Sequence, residues 1–237
     1  MTGAGTPPDG RGGPHVVVAD LDRPVLTGDQ RHHLLRVLRV RTGDPMTITD
    51  GCGRWRPARF GEVVEPAGAV VEVAPGRPAI TIAFALVKGQ RPELVVQKLT
   101  EIGVDRIVLL HANRSVVHWE PDRAGHNLRR LEAVARSAAQ QSRQVYLPDV
   151  CGPLAVADAV SAGGPEVAMA EPGGGPLNLT RPQLLIGPEG GWTDDERDLG
   201  PPLVGLGRSV LRTETAAIVG GALLGALRNG VLGSHAE

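Results

Sequence analysis

Cysteine is nearly missing from this chain. Cys52 and Cys151 lie far apart without C-x-x-C spacing, which excludes a disulfide framework and a cysteine zinc site and fits a reducing compartment. Aromatic residues make up only 3% of the sequence, which argues against base stacking on an aromatic platform as the main contact with any nucleic acid. Lysine is scarce too: Lys88 and Lys98 stand against 23 arginines, a bias read as genomic base composition before function. No apolar run approaches a membrane span, and MTGAGTPPDGRGGP at the start lacks a signal peptide's apolar core. A cytoplasmic soluble protein is expected. Neither G-x-G-x-x-G nor G-x-x-x-x-G-K-[ST] occurs, which counts against a dinucleotide fingerprint and a P-loop. His32, His33, His111, His118 and His126 show no metal-ligand spacing, so no metal is expected, and no Ser-His-Asp context is present.

What is present is an ordinary globular composition, 41% hydrophobic and 22% charged, in 237 residues, enough for one large or two small domains. The net charge of −1 hides an asymmetry. Residues 31–59 carry seven arginines against Asp44 and Asp50, whereas residues 149–237 carry eleven acids against five arginines. A basic N-terminal region can serve a nucleic acid even in a neutral protein, although a solvated mixed face gives the same pattern.

The Gly/Pro-rich opening, residues 1–14, predicts a disordered tail. His15 to Ala19 predicts a strand, and Asp29 to Arg39 a helix with Leu34, Leu35 and Leu38 on one face. Met46 to Thr49, Trp55 to Val64 and Val70 to Val73 predict strands, with Asp50-Gly51 as a hairpin turn. A small β-barrel domain over 15–75 follows, and Ala74 to Pro78 reads as a boundary. Beyond it, over 78–237, strands alternate with helices: Ile80 to Leu86, Pro92 to Ile102, Arg106 to Leu110, Asp122 to Arg143, Leu154 to Ser161, Val167 to Ala170 and Leu184 to Ile186. That rhythm predicts an α/β domain with a mostly parallel sheet. The last helix, Glu214 to about Arg228, is apolar almost all round, so it is buried in the core or against a second subunit.

One stretch, residues 183–216, carries the functional signal. The run Leu184, Leu185, Ile186 ends at Gly187-Pro188-Glu189-Gly190-Gly191, and Thr193 with Glu196 forms a T-x-x-E capping box. The plan then repeats, with Leu203 to Leu206 as a strand, Gly207 as a turn, and the helix from Glu214. Two glycine turns after strands would expose backbone groups at one sheet edge, where ligands of open α/β sheets bind. Two ordinary strand-to-helix loops are the alternative.

The strings LIGPEGGWTDDE and LGRSVLRTETAA resemble the two cofactor-loop motifs of the SPOUT methyltransferases, specifically the 16S ribosomal RNA (uracil-N3)-methyltransferases. KGQRPELVVQKLTEIGVDRI, RSVVHWE, AAQQSRQVYLPDV and RHHLLRVLRVRTGD resemble that family in the same order, and the match runs from about residue 15 onward. The resemblance implies a C-terminal trefoil knot, an N-terminal PUA-like or OB-like RNA-binding barrel and a homodimer. It implies S-adenosylmethionine as cofactor and methylation of a uridine of the small ribosomal subunit, the family's target being uridine 1498. The alternatives are another rRNA or tRNA nucleoside, or a non-catalytic RNA-binding assembly protein.

On the same grounds, Leu185, Ile186, Gly187, Pro188, Glu189, Gly190, Gly191, Leu206, Gly207, Leu211, Arg212, Thr213, Thr215 and Ala216 are the expected cofactor residues. Arg212 is the candidate for stabilising an anionic uracil, unless it is salt-bridged to Glu214 or Glu189. Glu214 is the candidate proton acceptor, or else a charge partner for its helix N-terminus. Expected RNA contacts are Arg36, Arg39, Arg41, Arg54 and Arg56 in the barrel, with Lys88, Gln97, Lys98, Arg114, Ser115, Gln141 and Arg143 beyond it. The family's E-Q-S-x-R is here Gln140-Gln141-Ser142-Arg143-Gln144, an amide for the acid and Gln144 for the arginine.

Overall fold

A computed structural model describes residues 5–233. The chain forms two compact units, one of residues up to Pro75 joined by Arg136–Leu147, the other of Gly76–Ala135 and Pro148 onward. The sequence boundary near Ala74 to Pro78 carries no hint that residues 136–147 return to the first unit.

In the first unit, β1 (His15–Val17) pairs in parallel with β2 (Pro45–Thr49), which forms a hairpin with β3 (Arg54–Arg59) through the expected Asp50-Gly51 turn. Two short strands, β4 (Glu65–Pro66) and β5 (Val71–Glu72), both pair with β3. Met46 and Ile48 of β2 pack with Val16, Leu34, Ala58 and Phe60 in an apolar core. Thr47 and Thr49, on the strand's other face, are buried as well. The 136–147 segment explains this: Thr47 Oγ1 meets His15 Nδ1 at 2.8 Å, His15 Nε2 reaches the Gln144 carbonyl, and Thr49 Oγ1 donates to the Val145 carbonyl.

Three expectations change here. The helix is shorter: α1 (Gly28–His32) is capped by Thr27 and Gln30, then winds as a π turn over His33–Val37 and ends with Arg39 at φ 55°. The wider turn rotates later side chains off the 3.6-residue face, so Leu34 is buried while Leu35 and Leu38 are 44% and 49% exposed. The strand from Trp55 stops at Arg59, since Phe60 turns back to exchange backbone hydrogen bonds with Gly43 and Asp44. The segment predicted to be a disordered tail is hydrogen-bonded where it is described. Gly5 donates to the Glu72 carbonyl, Trp55 Nε1 to the Thr6 carbonyl, and Arg143 Nη2 to the carbonyls of Gly10 and Gly13. Residues 1–4 of that segment lie outside the described range.

The second unit contains β6 (Thr81–Ala85), α2 (Arg91–Ile102), β7 (Arg106–His111), most of α3 (Pro121–Ser142), β8 (Asp149–Ala155), α4 (Val156–Gly163), β9 (Val167–Gly175), β10 (Gln183–Ile186), α5 (Asp194–Arg197), β11 (Leu203–Val204) and α6 (Thr213–Arg228). Its strands form a six-stranded sheet, order β11-β9-β10-β6-β7-β8, and every pairing is parallel, as the alternation predicts. Ile82 and Phe84 face a core shared with α2 and α6, while Ala83 and Ala85 face a second core containing Met169, Leu185 and Trp192. Strand β8 was not anticipated, because Gly152 and Pro153 interrupt its apolar pattern. Expected as a strand to Leu206, β11 ends at Val204.

Helix α6 is glycine-rich because it lies against the sheet and α2 with no room for side chains. A Cβ on Gly220 would sit 2.5 Å from Leu184 Cδ2, and one on Gly221 2.5 Å from Leu99 Cδ2. Within the unit one face of the helix packs on α2, β6 and β10, while Ile218, Val219, Leu223 and Leu227 stay only partly buried.

Candidate active site

At the C-terminal ends of β9 and β10 the second unit opens a cavity of about 350 Å³. Its walls are Ala170–Pro172 of β9, the loop Ile186–Trp192, the segment from Leu206 to Leu211, and Thr213 and Ala216 of α6. The loop's path depends on its glycines. A Cβ on Gly187 would lie 3.0 Å from the Trp192 ring, and Gly191 holds φ 69°.

Hydrogen bonds fix this loop from beneath. Trp192 is buried, and its Nε1 donates to the Ala170 carbonyl, tying the loop to β9. Arg114 Nη1 donates to the carbonyls of Gly190 and Trp192, each at 3.0 Å. The capping box forms as expected, with Thr193 Oγ1 accepting from Glu196 N while Glu196 Oε2 accepts from Thr193 N. Glu196 is buried, and its other oxygen accepts from Asn113 N at 2.8 Å. Thr213 Oγ1 donates to the Gly187 carbonyl at 2.9 Å, closing the second segment onto the first. The cavity is therefore assembled before any ligand arrives, which lowers the cost of binding one.

Of the expected cofactor residues, Ile186, Gly187, Pro188, Glu189, Gly190, Gly191, Leu206, Gly207, Leu211, Thr213 and Ala216 line this cavity. Leu185, Arg212 and Thr215 do not. Strand alternation turns Leu185 into the core on the sheet's other face, and Thr215 is exposed on α6. Sequence reasoning missed Glu171, Trp192, Arg197, Ser209 and Val210 in the wall. The tryptophan directly after the glycines was the available signal. Glu171 lies on β9, and its carboxylate pairs with Arg197 Nη2 at 3.1 Å across the cavity wall.

The charges beside the cavity differ from expectation. Arg212, the N-cap residue of α6, is exposed and forms no side-chain hydrogen bond or ion pair among the described residues. Neither Glu214 nor Glu189 holds it. Arg91, which sequence analysis did not single out, approaches both, with Nη1 3.5 Å from Glu189 Oε1 and Nε 3.6 Å from Glu214 Oε1. Glu214 lies outside the cavity wall, and its Oε2 is buried without a partner.

The expected RNA contacts divide into free and committed side chains. In the first unit Arg36, Arg39 and Arg41 are exposed, without side-chain partners among the described residues. Arg54 pairs with Asp50 at 2.7 Å; Arg56 is bound by Asp22 and the Gly68 carbonyl; Arg143 serves the Gly10 and Gly13 carbonyls. Gln141 is exposed, whereas Gln140 Oε1 accepts from Val17 N and Gln30 Nε2 inside the unit. The amide at 140 therefore has structural work that needs no charge. In the second unit Lys88 and Gln97 are exposed, Lys98 pairs with Glu101 at 2.8 Å, and Ser115 is buried with an unpartnered Oγ. Arg114 is exposed while its Nη1 braces the glycine loop.

Two histidines are shifted toward the neutral form. Burial, partly offset by the Gln144 carbonyl, lowers His15 to about 4. Burial and the neighbouring His118 ring lower His111, whose Nε2 accepts from Trp119 N. Among the described residues no group of three or more His, Cys, Asp or Glu could hold a metal, and no helix is long and apolar enough to cross a membrane.

A family model described as an RNA methyltransferase domain matches residues 75–225. The ribosomal RNA small subunit methyltransferase E of Mycobacterium bovis is 38% identical over 229 residues, covering 86% of each chain. The Synechocystis protein of the same name is 31% identical, covering 85% of this chain and 72% of its own. Among solved structures, the Neisseria gonorrhoeae ribosomal RNA small subunit methyltransferase E bound to S-adenosyl methionine superposes with TM-score 0.74 at 25% identity, covering 91% of this chain and 98% of that one. A Legionella pneumophila chain solved with its bound cofactor SAM gives 0.79 at 27% identity, covering 90% and 97%.

Proposed function

The chain belongs to the RNA methyltransferase family, among the ribosomal RNA small subunit methyltransferases E, and we propose that it methylates N3 of a uridine in 16S rRNA, at the family's position 1498. Its cofactor is S-adenosylmethionine. The cavity suits that molecule: its volume lies within the roughly 300–1,000 Å³ of small-molecule sites. Ile186, Leu206, Leu211 and Ala216 offer apolar walls for a flat base, while Glu171 and Glu189 offer acceptors for hydroxyl and cationic groups. When bound, the cofactor supplies an electrophilic methyl group on a sulfonium.

The uridine must be unpaired or flipped out, because pairing occupies N3. Its N3–H proton would pass to solvent water, the N3–methyl bond would form, and the sulfur–methyl bond would break with its electron pair kept by sulfur, so that the demethylated cofactor leaves as a neutral thioether. Arg212 meets the negative charge on the deprotonated base, and its lack of an internal partner is the observation that carries this assignment. A guanidinium with its hydrogen bonds unspent, next to a ligand cavity, is suited to charge that develops during reaction. Glu214, aimed at Arg91 and absent from the cavity wall, takes a scaffolding role in place of proton acceptor. The exposed Arg36, Arg39 and Arg41 grip phosphates and position the RNA without reading its sequence. The family's homodimer, trefoil knot and PUA-like barrel belong to the same proposal.

The experiment is methyl transfer to small ribosomal subunits lacking the modification, comparing wild type with Arg212→Gln. Transfer by the wild type, with S-adenosylmethionine still bound but kcat collapsed in the variant, supports this role for Arg212. Equal rates would remove Arg212 from the chemistry.

A further inference from the structure

We propose that Arg91 is a positioning residue for methyl transfer: its one guanidinium is shared between Glu189 of the glycine loop and Glu214 of α6. Lying between the two carboxylates and able to close on either, it couples the two cofactor segments and keeps Arg212 unpaired. The proposal deepens the methyl-transfer assignment above and rests on it.

The geometry is that of a side chain poised between two sites. At 3.5 Å and 3.6 Å neither contact is a formed hydrogen bond, which would need about 2.7–3.2 Å. Glu214 Oε2 is buried without a donor although a guanidinium lies beside the same carboxylate. Buried acceptors are nearly always satisfied, so this oxygen marks an unfinished contact. A shift of roughly 0.7 Å toward Glu214 would bring Arg91 to a usual bond length and let its planar fork serve both oxygens. The same shift draws it away from Glu189, which borders the cavity. Glu189 is then released to accept from a donor on the cofactor.

Cofactor loading and the order of the α6 N-terminus are thereby linked through one residue. Arg91 opens α2, the helix packed on α6, so its backbone is anchored while its side chain spans the gap. Arg212 lies two residues before Glu214, and a carboxylate engaged by Arg91 after that shift does not capture it. A lysine at 91 would keep the charge but could not fork.

The test is a double-mutant cycle of Arg91→Gln and Glu214→Gln in the full-length protein, with Arg91→Lys alongside. Thermal midpoints are read with and without S-adenosylmethionine, and kcat and KM on unmodified small subunits. Arg91→Gln should lower kcat about tenfold or more with KM for the subunit little changed. The double variant should be no slower than the worse single one, and Arg91→Lys should recover only part of the rate. The coupling between the two substitutions in thermal midpoint should be larger with cofactor than without. A kcat of Arg91→Gln within about twofold of wild type, rate losses that multiply in the double variant, or equal coupling with and without cofactor would each overturn the proposal. The thermal cycle needs no RNA, so it judges Arg91 even if the methylated nucleoside proves not to be uridine.

Discussion

At the scale of single residues, exposure alone misassigns arginines, and their partners assign them. Arg56, Arg114 and Arg143 all donate to backbone carbonyls of their own units, whereas Arg212 donates to nothing among the described residues. Arg212→Gln should therefore lower kcat by about 10²–10³, the usual cost of removing one donor to developing charge, without loosening the cofactor. Calorimetry with S-adenosylmethionine beside single-turnover kinetics separates the two effects. His15 gives a second prediction. Its folded pKa, about 4, lies below the ordinary 6.5, so the unfolded chain binds more protons between those values. Stability is then full above pH 6.5 and falls as pH drops toward 4, by at most about 3 kcal/mol from this residue. Denaturant titrations of wild type and His15→Gln across pH 4–7 should show a shallower slope in the variant. An unchanged slope would mean that His15 does not titrate as its burial implies.

At the scale of elements, the site depends on how closely α6 can approach the sheet. Gly221→Ala would gain helix propensity of about 1 kcal/mol, yet its methyl group would meet Leu99 at 2.5 Å in a packed core. Net destabilisation of about 1–3 kcal/mol is expected, read as a lower denaturation midpoint. A stabilised variant would show that the helix has room to shift. The strands and helices of the second unit were legible because strand and helix periods alternate there, and the capping box at Thr193 marked α5 four residues in advance of its end. Less legible was whatever depends on the third dimension. Nothing in RHHLLRVLRV marks a π turn, so Leu35 and Leu38 read as core though they are half exposed. Arg91 stood inside a motif that was noticed, yet its role rests on carboxylates 98 and 123 positions away in sequence, which no local pattern reports.

At the scale of the whole molecule, net charge near zero conceals a basic stretch, residues 31–59, in which Arg36, Arg39 and Arg41 are exposed without side-chain partners among the described residues. Replacing all three by glutamine should weaken RNA binding and flatten its dependence on salt by up to about 0.7–0.9 per lost phosphate contact in the logarithmic slope. Filter binding across a salt series reads this directly, and an unchanged slope would take these arginines out of the interface. The proposed reaction delivers a methyl group to N3 of a uridine from the cavity that Leu211 and Thr213, the neighbours of Arg212, help to line. Its most direct test is transfer from labelled S-adenosylmethionine to purified small subunits lacking the modification, followed by nucleoside analysis of the RNA. Label recovered as 3-methyluridine is the predicted result. Label in any other nucleoside, or none from protein shown to bind the cofactor, would contradict it.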